Sequence, residues 1–267
     1  MSGLPDPATF LSGERGEATG IAPRLADLWL DARLRIGGAA RALDRVETPA
    51  RDVLVMSVYR PGGERLSHAL PELASDRHRV TLAFGSMGEA TVDGTVATGL
   101  RGGKFPNLNA VRTAAGEPEP DWTLIVDDDV ALPPRFLDRF VAACERWQLD
   151  LGQPAQTRRS HAAWPVTRRR GGQPVRVTCF VEIGPVTAMS RDVAHELMPF
   201  PELRYGWGLD AHWAAIAEER GWRLGVVDAL PVGHEHALVA GAYSSREAIE
   251  EARHFLAGRP YVQNAGR

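Results

Sequence analysis

The sequence lacks the features of a secreted, membrane-spanning or zinc-binding protein. It has only two cysteines, Cys144 and Cys179, and no CxxC pair or Cys/His cluster of the zinc-binding kind. Each cysteine lies in an apolar pattern, which predicts two buried free thiols in a reducing compartment. No run approaches the roughly 18 apolar residues of a membrane span, and residues 1–20 lack a signal-peptide pattern. We therefore expect a soluble cytoplasmic protein without a transmembrane segment.

The chain also lacks a strong charge of either sign. Its 267 residues carry a formal net charge of −3, which gives no general reason to expect a nucleic-acid partner. Apolar residues make up 44% of the chain, which is sufficient for a substantial core. A chain of this length forms one large α/β domain or two small domains.

The order of apolar runs and turn signals predicts how the chain is organised. Residues 1–50 are predicted to form a flexible tail followed by two short helices. Val53–Tyr59 is predicted to be a strand buried on both faces, followed by a turn, a helix and a second strand. This β-loop-α-β order builds parallel sheets. We predict a single α/β domain at 51–240 with a mostly parallel sheet flanked by helices, then a C-terminal helix and tail at 241–267.

Three expectations concern the second half of the domain. Val175–Met189 is predicted to be strand-like throughout, because apolar residues recur along it. The basic stretch at 158–170 is predicted to be a solvated hairpin, and a loop that closes over phosphates is the alternative. Arg223–Asp228 is predicted to be the last strand, with a loop that leads from it to His234.

Three consecutive carboxylates end a short apolar run. Leu124–Val126 is predicted to be a buried strand, and Asp127, Asp128 and Asp129, which we call the acid triplet, follow it directly. Adjacent carboxylates repel one another, so they require a cation, hydrogen-bond donors or bulk water. Open α/β sheets bind ligands at the carboxyl ends of their strands, and carboxylate oxygens suit Mg²⁺ or Mn²⁺. A solvated turn that caps the next helix is the alternative.

Other polar residues follow predicted strands or open predicted helices. Arg60 ends the first strand, and Lys104 and Asn107 open a helix. Glu182 interrupts an apolar strand pattern, and a buried carboxylate needs a partner, so it indicates an acceptor contact or a supporting role. Asp210 precedes a predicted helix, where a capping role is the alternative to a chemical one.

These segments together resemble a GT-A glycosyltransferase, a family-2-like nucleotide-diphospho-sugar transferase. The resemblance covers about 52–236 and rests on the D-x-D strand end, the element Gly206–Asp210 and a late histidine. Segments from Gln153 onward also resemble a plant-rich domain family of unknown function that shares this fold. The resemblance implies a GT-A type, Rossmann-like domain with a nucleotide-binding half at 51–132 and an acceptor half at 133–240.

On the donor side, the resemblance implies a nucleotide-sugar, either a UDP- or a GDP-sugar, bound with Mn²⁺ or Mg²⁺. Such a metal neutralises the charge that develops on the leaving nucleoside diphosphate. Asp129, His234 and Asp127 match the metal site, with His236 as a competitor of His234 and with Asp128 able to serve either the metal or the ribose. Donor contacts are implied for five polar residues: Asp127, Asp128, Arg60, Lys104 and Asn107.

On the acceptor side, the resemblance implies a sugar or another hydroxyl compound. Asp210 matches the general base of inverting members, which removes the proton from the acceptor hydroxyl. Ala211 stands where galactosyltransferases of this pattern carry a further acid. The role of Asp210 as the base, and with it inversion at the anomeric carbon, therefore stays open here. Trp207, Glu182 and Gln153 are the acceptor-binding candidates, and Trp207 resembles the tryptophan that packs on a sugar ring.

Two other functions remain open from the sequence. One is a sugar nucleotidyltransferase, which makes the activated sugar, and Arg60–Gly63 is a weak version of the Gly-rich signature of that class. The other is a non-catalytic protein that binds a sugar or a nucleotide. Retention of Asp127, Asp129 and Asp210 argues against loss of catalysis without excluding it.

Overall fold

The computed structural model describes residues 21–61, 63–160, 164–171, 173–234 and 244–263. The helices of this part of the chain are α1 (Ile21–Ile36), α2 (Ala39–Asp44), α3 (Glu64–Leu73), α4 (Lys104–Ala114), α5 (Phe136–Arg146), α6 (Arg191–Leu197), α7 (Leu209–Arg220) and α8 (Ser245–Leu256). The strands are β1 (Asp52–Tyr59), β2 (Arg79–Ser86), β3 (Thr95–Ala97), β4 (Trp122–Val126), β5 (Val130–Ala131), β6 (Leu151–Gln156), β7 (Arg176–Thr178), β8 (Val186–Ser190) and β9 (Leu224–His234). A short 3₁₀ helix, Pro165–Thr167, lies between β6 and β7.

One sheet organises the domain, with the strand order β3-β2-β1-β4-β8-β6-β9-β5 and with β7 paired to β9. The pairs β1–β2, β1–β4, β2–β3 and β6–β9 are parallel. β8, β5 and β7 run antiparallel to their neighbours. The strands β1, β2, β3, β4, β6 and β9 therefore point in one direction, which confirms the predicted mostly parallel α/β sheet.

The strand order creates a switch point between β1 and β4. After β1 the chain forms β2 on one side of it, and later returns to form β4 on the other side. Open α/β sheets bind ligands in the crevice outside the carboxyl ends of the strands at such a point. Arg60 directly follows β1, and the acid triplet directly follows β4. The topology therefore brings these two sequence features to the same crevice.

Helices cover both faces of the sheet, and β1 shows why its apolar run is nearly continuous. Val53 and Val55 pack in a cluster that includes residues of α3 and α5. Leu54 and Met56 point to the opposite face, into a cluster with residues of α4, α6, α7 and α8. Successive side chains of a strand alternate between faces, so a strand covered on both sides must be apolar at every position.

The N-terminal helices pack on the domain through charged contacts. The carboxylate of Asp27 accepts hydrogen bonds from the backbone N–H groups of Arg158 and Arg159, at 2.9 and 3.2 Å. Asp31 accepts one from Nη2 of Arg169 at 2.6 Å, and Arg169 is only 1% exposed. The prediction of a solvated stretch was therefore wrong for Arg169, which is buried against the acids of α1, whereas Arg158, Arg159 and Arg170 are exposed.

Two strand predictions also need correction. β9 does not end at Asp228 but continues to His234, because its last residues pair with β5. Val175–Met189 is not one strand but divides into β7 and β8. Between these strands, the side chain of Gln153 accepts the backbone N–H of Glu182, which replaces ladder pairing there.

The two cysteines differ in environment. Cys144 is buried in α5, and burial raises the pKa of its thiol above the usual range. Cys179 is exposed, so the prediction of a second buried thiol was wrong. Both cysteines are in the reduced, thiol form.

The first elements of the described chain follow the order predicted from the sequence. α1 and α2 form the two predicted N-terminal helices and are separated by Gly37 and Gly38, where Gly38 has a left-handed φ of 67°. β1, α3 and β2 follow in the predicted order. No helix of the described residues is long and apolar enough to cross a membrane. The predicted tail at 1–20 lies outside the described residues.

Candidate active site

Arg60 joins the carboxyl ends of β1 and β4. Its Nη2 atom lies 2.8 Å from Oδ1 of Asp128 and 2.9 Å from Oδ2 of Asp129. Its backbone N–H also donates to Oδ2 of Asp128 at 2.9 Å. The hydrogen bonds with Asp128 raise the pKa of the Arg60 guanidinium above its usual value. The crevice at the switch point thus holds two carboxylates that converge on one positive charge.

Lys104 holds the third carboxylate of the acid triplet. Its Nζ atom lies 2.6 Å from Oδ1 of Asp127 and donates a second bond to the carbonyl of Ile183 at 2.9 Å. The backbone N–H of Asp127 donates to the carbonyl of Pro185. Gly184 approaches so closely that an added Cβ would lie 2.9 Å from Oδ2 of Asp127. The start of α4 and the segment before β8 therefore meet at Asp127.

The carboxylate oxygens of the acid triplet are suitable ligands for a hard divalent cation. Hard divalent ions prefer carboxylate oxygens, and the guanidinium of Arg60 already places positive charge between Asp128 and Asp129. The side chain of Asp129 is only 5% exposed, so its charge is weakly screened by water. Among the described residues, no group of three carboxylate, imidazole or thiol side chains is arranged as a metal site.

The backbone of His234 lies close to the acid triplet. It pairs with Val130, the residue that follows Asp129, in the ladder between β9 and β5. The position of its side chain lies outside what the structure describes, and so does His236. The assignment of a histidine to the metal site therefore stays a prediction, although the ladder brings the chain at 234 beside the acids.

Asn107 is used within its own loop. Its Oδ1 atom accepts the backbone N–H of Gly102 and its Nδ2 atom donates to the carbonyl of Gly102, both at 2.9 Å. The side chain is 4% exposed. Asn107 thus holds the loop before Lys104 in place through these two bonds. No described contact of Asn107 supports its predicted role in binding the nucleotide-sugar.

A series of hydrogen bonds, which we call the connecting network, leads from the acid triplet into the acceptor half. Gln153 donates to the carbonyl of Gly184, which lies against Asp127, and accepts the backbone N–H of Glu182 at 2.7 Å. Oε2 of Glu182 accepts bonds from Gln156 and Thr167, at 2.9 and 3.0 Å. Gln153 and Glu182 therefore have internal partners, which meets the requirement that buried polar groups be bonded.

The connecting network ends at Asp210 in the first turn of α7. The Thr167 hydroxyl shares its one proton between Glu182 and the carbonyl of Trp164, which lies 2.8 Å away, and Nε1 of Trp164 donates to Oδ2 of Asp210 at 2.9 Å. Oδ1 of Asp210 accepts the backbone N–H of Ala211. Burial raises the pKa of Asp210 to about 6, although both hydrogen bonds lower it. A carboxylate with this pKa can exchange a proton near neutral pH.

The pKa of Asp210 predicts a pH-dependent stability. Its folded-state pKa of about 6 exceeds the unfolded value of 3.8, so the folded state binds the extra proton between these values. The free energy of unfolding should therefore fall as pH rises through this window, by about 2 to 3 kcal/mol. The amide of the Asp210→Asn variant cannot ionise, so this loss should be absent there. Denaturant unfolding of both proteins from pH 4 to pH 8 should show the wild type losing stability relative to the variant; a pH-independent difference would contradict this.

Trp207 lies at the edge of a small apolar cluster. It is half-buried and packs against a group of residues that includes Trp164, Phe180 and Ala211. The rings of Trp164 and Phe180 are 4.7 Å apart. The structure thus brings Trp207 to the same cluster as the Trp164 side chain that holds Asp210.

Sequence reasoning missed two features of this site. It placed Arg60 near a nucleotide but did not foresee that it joins two carboxylates of the acid triplet. It also assigned no role to Trp164 and Gln156, which carry the connecting network. A signal was present for Gln156, because two glutamines in a strand buried at every position need internal partners. Trp164 stands in an irregular segment and gave no comparable signal.

The comparisons with known proteins rest on structure alone. No protein-family model and no curated protein matches the sequence. The backbone is similar to a crystal structure of GalNAc-T7 with UDP, GalNAc and Mn²⁺, with a TM-score of 0.51 and 14% identity over 90% of this chain and 57% of that one. It is less similar to the mannosyltransferase PcManGT from Pyrobaculum calidifontis in complex with GDP-Man and Mn²⁺ (TM-score 0.47, 20% identity, 76% and 64% covered). For S. aureus TarS 1–349 the TM-score is 0.42, with 14% identity over 66% and 58% of the chains.

The similarity to the GalNAc-T7 structure shows the fold. The chain has the mixed α/β fold of GT-A glycosyltransferases, as the resemblance in the sequence implied. It spans 57% of the length of the GalNAc-T7 chain. At 14% identity the similarity shows the architecture of the chain, whereas its activity depends on the residues of the site.

Proposed function

We propose that the protein is a glycosyltransferase that moves a sugar from a UDP- or GDP-sugar to an acceptor hydroxyl. The observation that carries the proposal is the meeting of Arg60 with Asp128 and Asp129 at the switch point between β1 and β4. This crevice is where α/β sheets bind nucleotides. It combines carboxylates, which suit a ribose hydroxyl or a cation, with a guanidinium, which suits a phosphate.

The donor would be held by groups from both sides of the crevice. Asp129 and Asp127, with His234, would hold Mn²⁺ or Mg²⁺, which when bound supplies positive charge to the leaving diphosphate. Asp127 and Asp128 would contact the ribose. Arg60 is 58% exposed at its side chain, so it can turn from the carboxylates to a phosphate without disturbing the core. Lys104 provides a second positive charge beside the same site.

Transfer would proceed by a single displacement with inversion. The acceptor hydroxyl oxygen bonds to the anomeric carbon while the bond from that carbon to the diphosphate oxygen breaks. Asp210 takes the hydroxyl proton, and its raised pKa of about 6 makes it an effective base near neutral pH. Trp207 would pack against the acceptor sugar. Gln153 and Glu182, predicted as acceptor contacts, would act by holding the segment before β8 in place.

Turnover of nucleotide-sugars tests the proposal directly. The full chain is incubated with UDP- and GDP-sugars, with Mn²⁺ or with a chelator, and the released nucleotide is measured. We expect slow release of nucleoside diphosphate that requires the metal and speeds up when an acceptor is supplied.

Other outcomes identify the alternatives. Release of pyrophosphate from a nucleoside triphosphate and a sugar phosphate would indicate a sugar nucleotidyltransferase. Saturable binding of the nucleotide-sugar without release of any product would indicate a non-catalytic binding protein. Either result would overturn the transferase assignment.

A further inference from the structure

One face of α1 exposes large apolar side chains. Five of the eight exposed large apolar residues of the described chain lie on this single helix. We call them the apolar stripe: Ile21 (74% exposed), Leu25 (59%), Leu28 (64%), Trp29 (58%) and Ile36 (88%). A concentration of apolar surface on one element marks an interaction site more than isolated apolar residues do.

The apolar stripe is narrow and flanked by arginines. Successive helical residues turn by about 100°, which places all five side chains within a sector of about 100°. Arg24 lies at one border of this sector and Arg33 at the other, and both are exposed. The guanidinium of Arg33 lies 5.3 Å from the ring centre of Trp29.

The acids of the N-terminal helices are engaged with the domain. Asp27 lies on the opposite side of α1 and Asp31 on its flank, and both bond to the basic stretch that follows β6. Asp44 of α2 pairs with Arg139. Arg41 and Arg45 of this segment are exposed. The solvent-facing side of α1 and α2 therefore combines apolar side chains with positive charge.

We propose that the apolar stripe docks α1 on the surface of a lipid membrane that contains anionic lipids. A helix with an apolar face bordered by arginines lies in the plane of the interface, where its apolar side chains enter the acyl boundary. The arginines bury their stems and reach the lipid phosphates. At 16 residues α1 is shorter than the ~20 that a spanning helix requires.

Charge favours a lipid surface over a second copy of the chain. A symmetric dimer apposes the same patch on both subunits. Docking of two apolar stripes would thus bring Arg24 and Arg33 of both copies to one interface. The acids that could neutralise them are already bonded: Asp27 is buried, and Asp31, whose side chain is 44% exposed, pairs with Arg169. Anionic headgroups supply the missing negative charge.

Co-sedimentation with vesicles tests this proposal independently of catalysis. The full chain is mixed with vesicles of phosphatidylcholine alone, or of phosphatidylcholine and phosphatidylglycerol in equal amounts. We expect sedimentation with the mixed vesicles, much less with the neutral ones, and release at high salt. The double variant Leu25→Ser, Trp29→Ser should partition about tenfold less. The variant Val177→Ser, which removes an apolar side chain that is 53% exposed on β7, should behave as wild type.

Charge variants and the oligomeric state complete the test. The variant Arg24→Gln, Arg33→Gln should bind mixed vesicles no better than neutral ones. Absence of wild-type sedimentation, or equal sedimentation of the Leu25/Trp29 double variant, overturns the proposal. A wild-type dimer in light scattering that the same double variant converts to a monomer also overturns it, in favour of a contact between copies.

Discussion

The Asp129→Asn variant is expected to lose metal-dependent binding of nucleoside diphosphates while it remains folded. The side chain of Asp129 is 5% exposed and shares the Arg60 guanidinium with Asp128. Its replacement by a neutral amide removes a charged ligand from the proposed metal site. Affinity for UDP or GDP with Mn²⁺, measured by titration calorimetry, should fall about 100-fold, or about 3 kcal/mol.

The matched control is a carboxylate at the other end of the same strand. Asp121 precedes β4 and pairs with Arg191, as Asp129 follows β4 and pairs with Arg60. The Asp121→Asn variant should bind the nucleotide as wild type does. Thermal unfolding should show that Asp129→Asn folds, because the amide keeps the size of the carboxylate and the partner Arg60, 58% exposed, can turn to water. Unchanged Mn²⁺-dependent affinity in Asp129→Asn would remove the acid triplet from the metal site.

The Asp210→Asn variant is expected to stop transfer and to leave donor binding intact. Asn keeps the size of the side chain and can still accept the bond from Trp164, but it cannot take a proton. Loss of a general base slows a reaction about 100- to 10,000-fold. Product formation is measured at saturating donor, and donor affinity is measured separately.

Two further observations make this test specific. The Glu218→Gln variant removes an exposed carboxylate from the far end of the same helix and should transfer normally. In the wild type, transfer should decline as pH falls below about 6, because Asp210 then holds a proton. Normal turnover in Asp210→Asn would show that another group accepts the proton. A wild-type transfer rate that does not fall below about pH 6 would show the same.

The sequence predicted the sheet well where a strand is buried on both faces, because burial there restricts the residue types to apolar ones. β1 is apolar on both faces, so its pattern admits only a strand covered by helices on each side. The second half of the domain was less predictable. β9 continues past Asp228 because β5, a strand of only two residues, pairs with its end, and a pairing this short leaves no pattern in sequence.

The candidate site was predictable in its residues and less so in their contacts. The acid triplet, Arg60 and Lys104 were singled out because each follows a strand or opens a helix. Their mutual ion pairs depend on the order of strands, which residue types do not specify. The bonds between Asn107 and Gly102 were not predicted either, because Gly102 lies in a loop whose path the sequence left undefined.

The bonds made by Gln153 have a mechanical consequence. One amide clamps two points of the segment before β8, the carbonyl of Gly184 beside Asp127 and the backbone N–H of Glu182. If the protein acts as proposed, loosening of these two bonds would displace the segment beside Asp127 and the network that leads to Asp210 together. Donor binding and proton acceptance would then depend on the same glutamine.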